Sequence, residues 1–167
     1  MTARAADEPI VIGVEGKADE PFGDRLEDHV RNALRTTPAS GTPQRVDQLT
    51  IAFFGSTLAT DRSLGAIRYQ LLSALAGTLV DARELEATEA ILPIHEFRTD
   101  KTDDHLQDAN AADLDAFLGR LHPGADRSSH ETAWISDAVI VRGDGTWLPA
   151  ERPVRVGKLH TDVRTPA

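Results

Sequence analysis

The chain has 167 residues and no cysteine, which allows a single domain and excludes thiol nucleophiles, cysteine zinc sites, iron–sulfur clusters and disulfide staples. Its 27 acidic against 18 basic residues give a formal net charge of −9, which argues against broad, charge-driven binding of nucleic acid but leaves room for a small basic pocket or a metal-bridged phosphate. Hydrophobic residues make up 40% of the chain and no apolar run approaches a membrane span or a signal peptide, so no membrane segment and a cytoplasmic location are expected.

The residues before Pro9 are polar and predict a loose start. Ile10 to Val14 is a β-branched run that reads as a strand buried on both faces, continuing into Glu15-Gly16-Lys17. A loop follows over 18–23, carrying Pro21 and Gly23. Leu26, Val30 and Leu34 predict a helix over 23–35, and Val46, Leu49 and Phe53 a second over 45–58 with Gly55 weakening its end. Thr60 or Asp61 is placed to cap a long helix over 63–86, whose stripe of Leu64, Ile67, Leu71, Leu75 and Leu79 is unbroken. Residues 90–94 read as a second strand, although Pro93 argues against a central position. The six aspartates between 99 and 119 predict an exposed loop over 99–110, before a short helix over 113–121. A loop over 122–131 precedes a hairpin, in which 134–142 and 146–148 flank Gly143-Asp144-Gly145, and a last strand over 154–160. No repeat or linker interrupts this order. The expectation is one α/β domain over 1–167, with a core at about 9–121 and a hairpin region at about 132–162.

Glu15-Gly16-Lys17 is the leading chemical candidate. Residues two apart on a strand project to one face, so Glu15 and Lys17 share a side, with Gly13 opening space beside them. A carboxylate, helped by the Gly16 carbonyl, suits a hard divalent cation, and a lysine beside it can orient water or steady transition-state charge. Chance alone supplies about half of one acid-x-Lys match in such a chain, so spacing by itself favours a surface ion pair at a strand end. Residue choice adds weight, because the chain has only three lysines, Lys17, Lys101 and Lys158, against 15 arginines.

Val14-Glu15-Gly16-Lys17-Ala18-Asp19-Glu20-Pro21-Phe22-Gly23, followed by Ala66-Ile67-Arg68-Tyr69-Gln70-Leu71-Leu72, resembles an uncharacterised bacterial domain family with V-E-G-K-x-D-E-P-F-G and I-R-Y-Q-L motifs. The resemblance covers roughly residues 9–120 and includes the strand bearing His95. That family in turn resembles the restriction-endonuclease-like, or PD-(D/E)xK, superfamily, which implies a mixed β-sheet flanked by helices. By this resemblance Glu15 and Gly16 would hold Mg or Mn, Lys17 would be the catalytic lysine and Gln70 a site-facing auxiliary. Asp19, Glu20, Arg68 and Tyr69 would stand around them. Asp19 and Glu20 read as acids favoured near a helix start ahead of a second metal contact or a salt bridge to Arg68. Arg68-Tyr69-Gln70 reads equally as a structural polar network.

The sequence departs from the superfamily at its start. An acid is needed on the strand before Glu15, and only Asp7 and Glu8 precede it closely. Asp7 lies about 26 Å from Glu15 on extended chain, too far to share a metal. The core is therefore expected to be N-terminally abbreviated, with an open strand edge that a homodimer or partner chain would complete. No His pair has a metal spacing, and no nucleophile elbow or phosphate loop is present. His95-Glu96 at a strand end are placed near the same cleft. Two functions follow: a metal-dependent phosphodiester hydrolase, for which nucleic acid is a substrate the net charge does not favour, or an inactive remnant serving as an interaction or oligomerisation module.

Overall fold

The computed structural model describes residues 2–5, 8–123, 133–143, 145 and 148–165. Among the described residues seven strands form one mixed sheet: β1 (Thr2–Ala5), β2 (Glu8–Ile12), β3 (Glu15–Lys17), β4 (Glu89–Arg98), β5 (Ala133–Ile135), β6 (Val139–Val141) and β7 (Arg152–Asp162). Among the described residues four α-helices accompany it: α1 (Leu26–Thr36), α2 (Thr42–Phe54), α3 (Tyr69–Glu84) and α4 (Asp104–Leu121). The path across the sheet is β1-β2-β4-β7-β5, with β3 also on β4 and β6 also on β7. β2, β3, β4 and β7 run parallel, while β1, β5 and β6 are antiparallel to their neighbours. The mixed α/β sheet is as expected.

Two corrections concern the start of the chain. Residues 2–5 are not loose but pair with 8–11 as an antiparallel hairpin. The outer edge of β2 is therefore covered by the chain itself; β1 carries no acid, and Asp7 lies outside the described residues. Pro93 sits in a central strand, against expectation, and the ladder explains how. β2 and β3 share one register on β4: Ile10 faces Glu89 and Glu15 faces Ile94. The break between them, Gly13–Val14, falls opposite Leu92–Pro93. Gly13 N–H donates to the Ile91 carbonyl at 2.9 Å, and the next donor in a parallel ladder would be the residue-93 N–H, which proline lacks. The ladder pauses there and resumes at Glu15.

The long helix predicted over 63–86 is broken. A 3-10 turn over Arg62–Ala66, capped by Asp61, ends at Ile67 and Arg68, both extended. Leu26 N–H donates to the Ile67 carbonyl and Tyr69 N–H to the Asp24 carbonyl, at 2.8 and 3.0 Å. These bonds hold Arg68 in a bridge with Arg25. α3 therefore begins at Tyr69, which puts Gln70 in its first turn.

The aspartate-rich stretch is mostly helix, not loop. Asp103 Oδ1 accepts from Leu106 N–H at 2.6 Å and caps α4, and Asp104 stands in the first turn, where a helix favours acids. α2 ends at Gly55, whose φ of +70° is the left-handed conformation glycine supplies cheaply. In the C-terminal region β6 pairs with 152–154 of β7; residues 124–132, 144, 146 and 147, which hold most of the expected loop over 122–131 and of the expected partner strand over 146–148, lie outside the described residues. β7 is no peripheral addition, since it joins β4 from Ala90–Val154 to Arg98–Asp162.

Even-numbered residues of β4 from Ala90 to Glu96 are buried, whereas Ile91, Pro93, His95 and Phe97 are half-buried. α3 packs on the buried face, and Val11, Leu92, Ile94, Val154 and Val156 share one core with Leu71, Leu75, Leu79, Leu114 and Phe117. The strand over 10–14 is accordingly covered on one face, not two.

Candidate functional site

Glu15 and Lys17 do project to one face, the helix-covered one, because they pair in register with buried Ile94 and Glu96. Lys17 is 1% exposed. Its Nζ donates to Gln70 Oε1 at 2.6 Å and to Glu20 Oε1 at 3.2 Å, lies 3.4 Å from Glu15 Oε1 and stands 5.4 Å from the centre of the Phe22 ring. Gln70 Nε2 donates to Glu15 Oε1 at 2.7 Å. Gln70 thus bridges the acid and the lysine, its amide oxygen toward the ammonium and its amide nitrogen toward the carboxylate. A buried ammonium needs such partners, and all three of its hydrogens can be used here.

The Gly13 N–H bond to Ile91 assigns residues 13, 15 and 17 to the β4 ladder, since alternate residues of a parallel strand bond to the same neighbour. The amide and carbonyl of exposed Gly16 turn to the outer edge, where no described strand pairs. Gly13 itself does not open space for a ligand. A Cβ there would stand 2.1 Å from Thr78 Oγ1 and 3.0 Å from Thr78 Cβ, so the missing side chain lets α3 approach the sheet.

The surrounding candidates divide. Glu20 is 65% exposed at its side chain, and its carboxylate touches Lys17. Asp19 turns away: its carboxylate accepts from Thr99 Oγ1 at 2.8 and 2.9 Å and from Thr102, bonds that hold its pKa below the usual value, and it ties the loop to the end of β4. Neither acid pairs with Arg68. Instead Arg68 Nε donates to Asp113 of α4 at 2.7 Å and Nη1 to the Gly23 carbonyl at 2.8 Å. Arg68 fixes the loop, not the site. Tyr69 points to the opposite side of the first turn of α3, stacked on His29 with ring centres 3.7 Å apart. It also lines a groove of about 510 Å³ with Arg45, Leu49, Ser73 and Val80. His95 lies on the other face of the sheet and bonds Thr161 Oγ1 at 2.9 Å. It does not line the cleft.

The His29–Tyr69 stack yields a pH prediction. Partial burial of the imidazole lowers its pKa below 6.5, with Asp24 pulling it up and Arg45 down. The unfolded chain then takes the proton first, so His29 weakens the fold as pH falls below 6.5 and stops doing so below its folded-state value. Urea midpoints at pH 8 and pH 5.5 should differ less in His29→Phe, which keeps the stack, than in the unaltered chain.

Sequence reasoning missed a second buried ion pair. Lys158 Nζ lies 2.9 Å from Glu96 Oε2, with side chains 6% and 8% exposed. Glu96 is the register partner of Lys17 on one side and of His160 on the other. Two of the three lysines are therefore buried on one sheet face. The signal was present in the alternation: Ala90, Leu92 and Ile94 point inward, and the same period carries inward to Glu96, as Val154 and Val156 carry to Lys158.

These groups gather toward the carboxyl ends of the parallel strands β3, β4 and β7, the end at which open α/β sheets bind ligands. Among the described residues no three His, Asp or Glu side chains converge as a metal-binding group. Glu15 and the outward Gly16 carbonyl do not make a protein cage; a cation held by so few protein ligands would be of the Mg or Mn kind, which keep waters and share substrate phosphates. The Glu15 carboxylate is 18% exposed at its side chain and so remains reachable.

Among the described residues no helix is long and apolar enough to cross a membrane. A protein-family profile described as a domain of unknown function matches residues 1–152. No curated protein and no solved structure matches the chain.

Proposed function

The chain belongs to the DUF6946 family, and from that premise we propose that it is a metal-dependent phosphodiester hydrolase with a PD-(D/E)xK-like site at Glu15, Lys17 and Gln70. The observation that carries this reading is the closed triangle of Glu15 Oε1, Gln70 and Lys17 Nζ, at 2.7, 2.6 and 3.4 Å, at the carboxyl ends of parallel strands. Gln70 both satisfies the buried ammonium and fixes the acid and the lysine relative to one another, as a catalytic pair requires.

Glu15 and the Gly16 carbonyl would hold Mg or Mn. That cation would polarise a phosphoryl oxygen and make bound water more acidic. Gln70 holds the Glu15 carboxylate by one oxygen and leaves the other for the cation. Lys17 offers its ammonium to developing phosphoryl charge or to the attacking water, and Phe22 and α3 keep bulk water from it. Glu20, the most exposed partner, is the one an incoming phosphate would displace. The chain's acidity confines substrate attraction to this small site, so the expected substrate is a short or single phosphodiester segment.

A panel of labelled DNA and RNA should be cleaved in Mg²⁺ or Mn²⁺. Glu15→Ala and Lys17→Met should each lower the rate by about 100-fold or more. Undiminished cleavage in both variants would remove the site assignment.

A second reading, an association module that pairs two copies of the chain, is favoured by the sheet face opposite the helices. Register places Ile135, Ile140 and Leu159 there, 56%, 52% and 46% exposed. Light scattering at micromolar concentration should then give twice the chain mass; a monomer counts against this reading.

A further inference from the structure

We infer that Glu96 is a positioning residue, the reserve counter-charge that holds Lys17 when a cation takes Glu15. The inference rests on the hydrolase reading above and extends it to a residue on the neighbouring strand.

Three observations carry it. First, Lys17 and Glu96 are register partners on adjacent parallel strands, both on the helix-covered face, with backbones about 4.8 Å apart. Second, Glu96 is 6% exposed, and its Oε1, inaccessible to solvent, has no hydrogen-bond partner, while Oε2 is engaged by Lys158. A buried carboxylate oxygen without a donor is costly, and an ammonium beside it is a fitting donor. Third, the carboxylates that now serve Lys17 are the accessible ones, Glu15 and Glu20, at 18% and 65% exposure.

The charge count gives these observations a direction. Glu15, Glu20 and Glu96 contribute three negative charges against two positive from Lys17 and Lys158. A divalent cation on Glu15 draws that carboxylate away from Lys17 and would leave a buried ammonium with only Glu20 and Gln70. Glu96 is a register neighbour of Lys17 on the same face, more deeply buried than Glu15, and is anchored through its other oxygen. It can take up the ammonium without moving its backbone. The resting chain then keeps Lys17 on Glu15, Glu20 and Gln70, and the cation-bound chain keeps it on Glu96 and Gln70 with its third hydrogen left for phosphoryl charge or water.

Calorimetric titration with Mn²⁺ tests this without an activity assay. The unaltered chain should bind one Mn²⁺, Glu15→Gln should lose that binding, and Glu96→Gln should weaken it about tenfold although Glu96 touches no metal. In a Lys17→Met background Glu96→Gln should make no further difference, because the ammonium it serves is gone. Should Glu96→Gln alone fail to fold with its bond to Lys158 altered, the neutral pair Glu96→Gln/Lys158→Met replaces it, compared with Lys158→Met, which keeps the carboxylate and should bind as the unaltered chain does. Unaltered Mn²⁺ affinity in the Glu96 variant, with Glu15→Gln still defective, overturns the inference and leaves the hydrolase reading standing. A tenfold loss that persists in the Lys17→Met background also overturns it, since that marks a direct ligand. No Mn²⁺ binding by the unaltered chain overturns both.

Discussion

Lys17→Ala should lower the stability of the fold by about 3 kcal/mol, the range seen when one member of a buried ion pair is removed. Lys17 is 1% exposed and serves Glu15, Glu20 and Gln70 at once. Truncation leaves the Gln70 amide oxygen without its donor and Glu15 with only the Gln70 amide, and it opens a cavity under Phe22. Glu20 loses little, because water reaches it. Domains are stable by only about 5–15 kcal/mol, so the loss is a large share of the total. Lys17→Met fills most of the volume and should cost clearly less, which separates the packing part from the charge part. Urea unfolding should show a lower midpoint at unchanged slope. An unshifted midpoint in Lys17→Ala would mean that the ammonium is not held as described.

Gly13→Ala is the second large effect, at about 1–3 kcal/mol of overpacking. The new methyl would stand 2.1 Å from Thr78 Oγ1 and 3.0 Å from its Cβ, both on a helix that cannot move without disturbing the core. Thr78 Oγ1 also donates to the Ala74 carbonyl at 2.9 Å, so it has no cheap alternative rotamer. Thr78→Ala removes the closest atom and should recover a substantial part of the loss, giving a coupling of about 1 kcal/mol or more in a double-mutant cycle. Because α3 carries Gln70, a shift of this helix should also loosen the Gln70 bridge, and Gly13→Ala should weaken Mn²⁺ binding in the folded fraction. Additive losses in the cycle would contradict the contact.

What the sequence made legible follows periodicity. The inward stripe of α3 and the shared face of Glu15 and Lys17 come directly from periods of 3.6 and 2. Gln70 entered through a resemblance, and no local pattern could have placed it against Lys17, 53 residues away. The break before Tyr69 was invisible because nothing at 67–68 disfavours helix; the bridge to Arg25 and the Arg68 bonds to Asp113 and Gly23 impose it from a distance. The aspartates around 103 suggested solvent when they were in fact the start of α4, a case in which composition outweighed capping. Pro93 argues against a central strand only when read alone; the matching pause at Gly13–Val14 makes it tolerable there. Glu96 and Lys158 obeyed the strand period, but as charged residues they were not placed in a core.

The central claim is that Glu15 is a cation ligand beside a buried lysine. Anomalous diffraction from crystals soaked in Mn²⁺ tests it most directly. A peak within bonding distance of the Glu15 carboxylate, absent from Glu15→Gln crystals, is the predicted result. Full occupancy of Mn²⁺ at another carboxylate cluster, or no peak in crystals whose Glu15 is open to solvent, would contradict it.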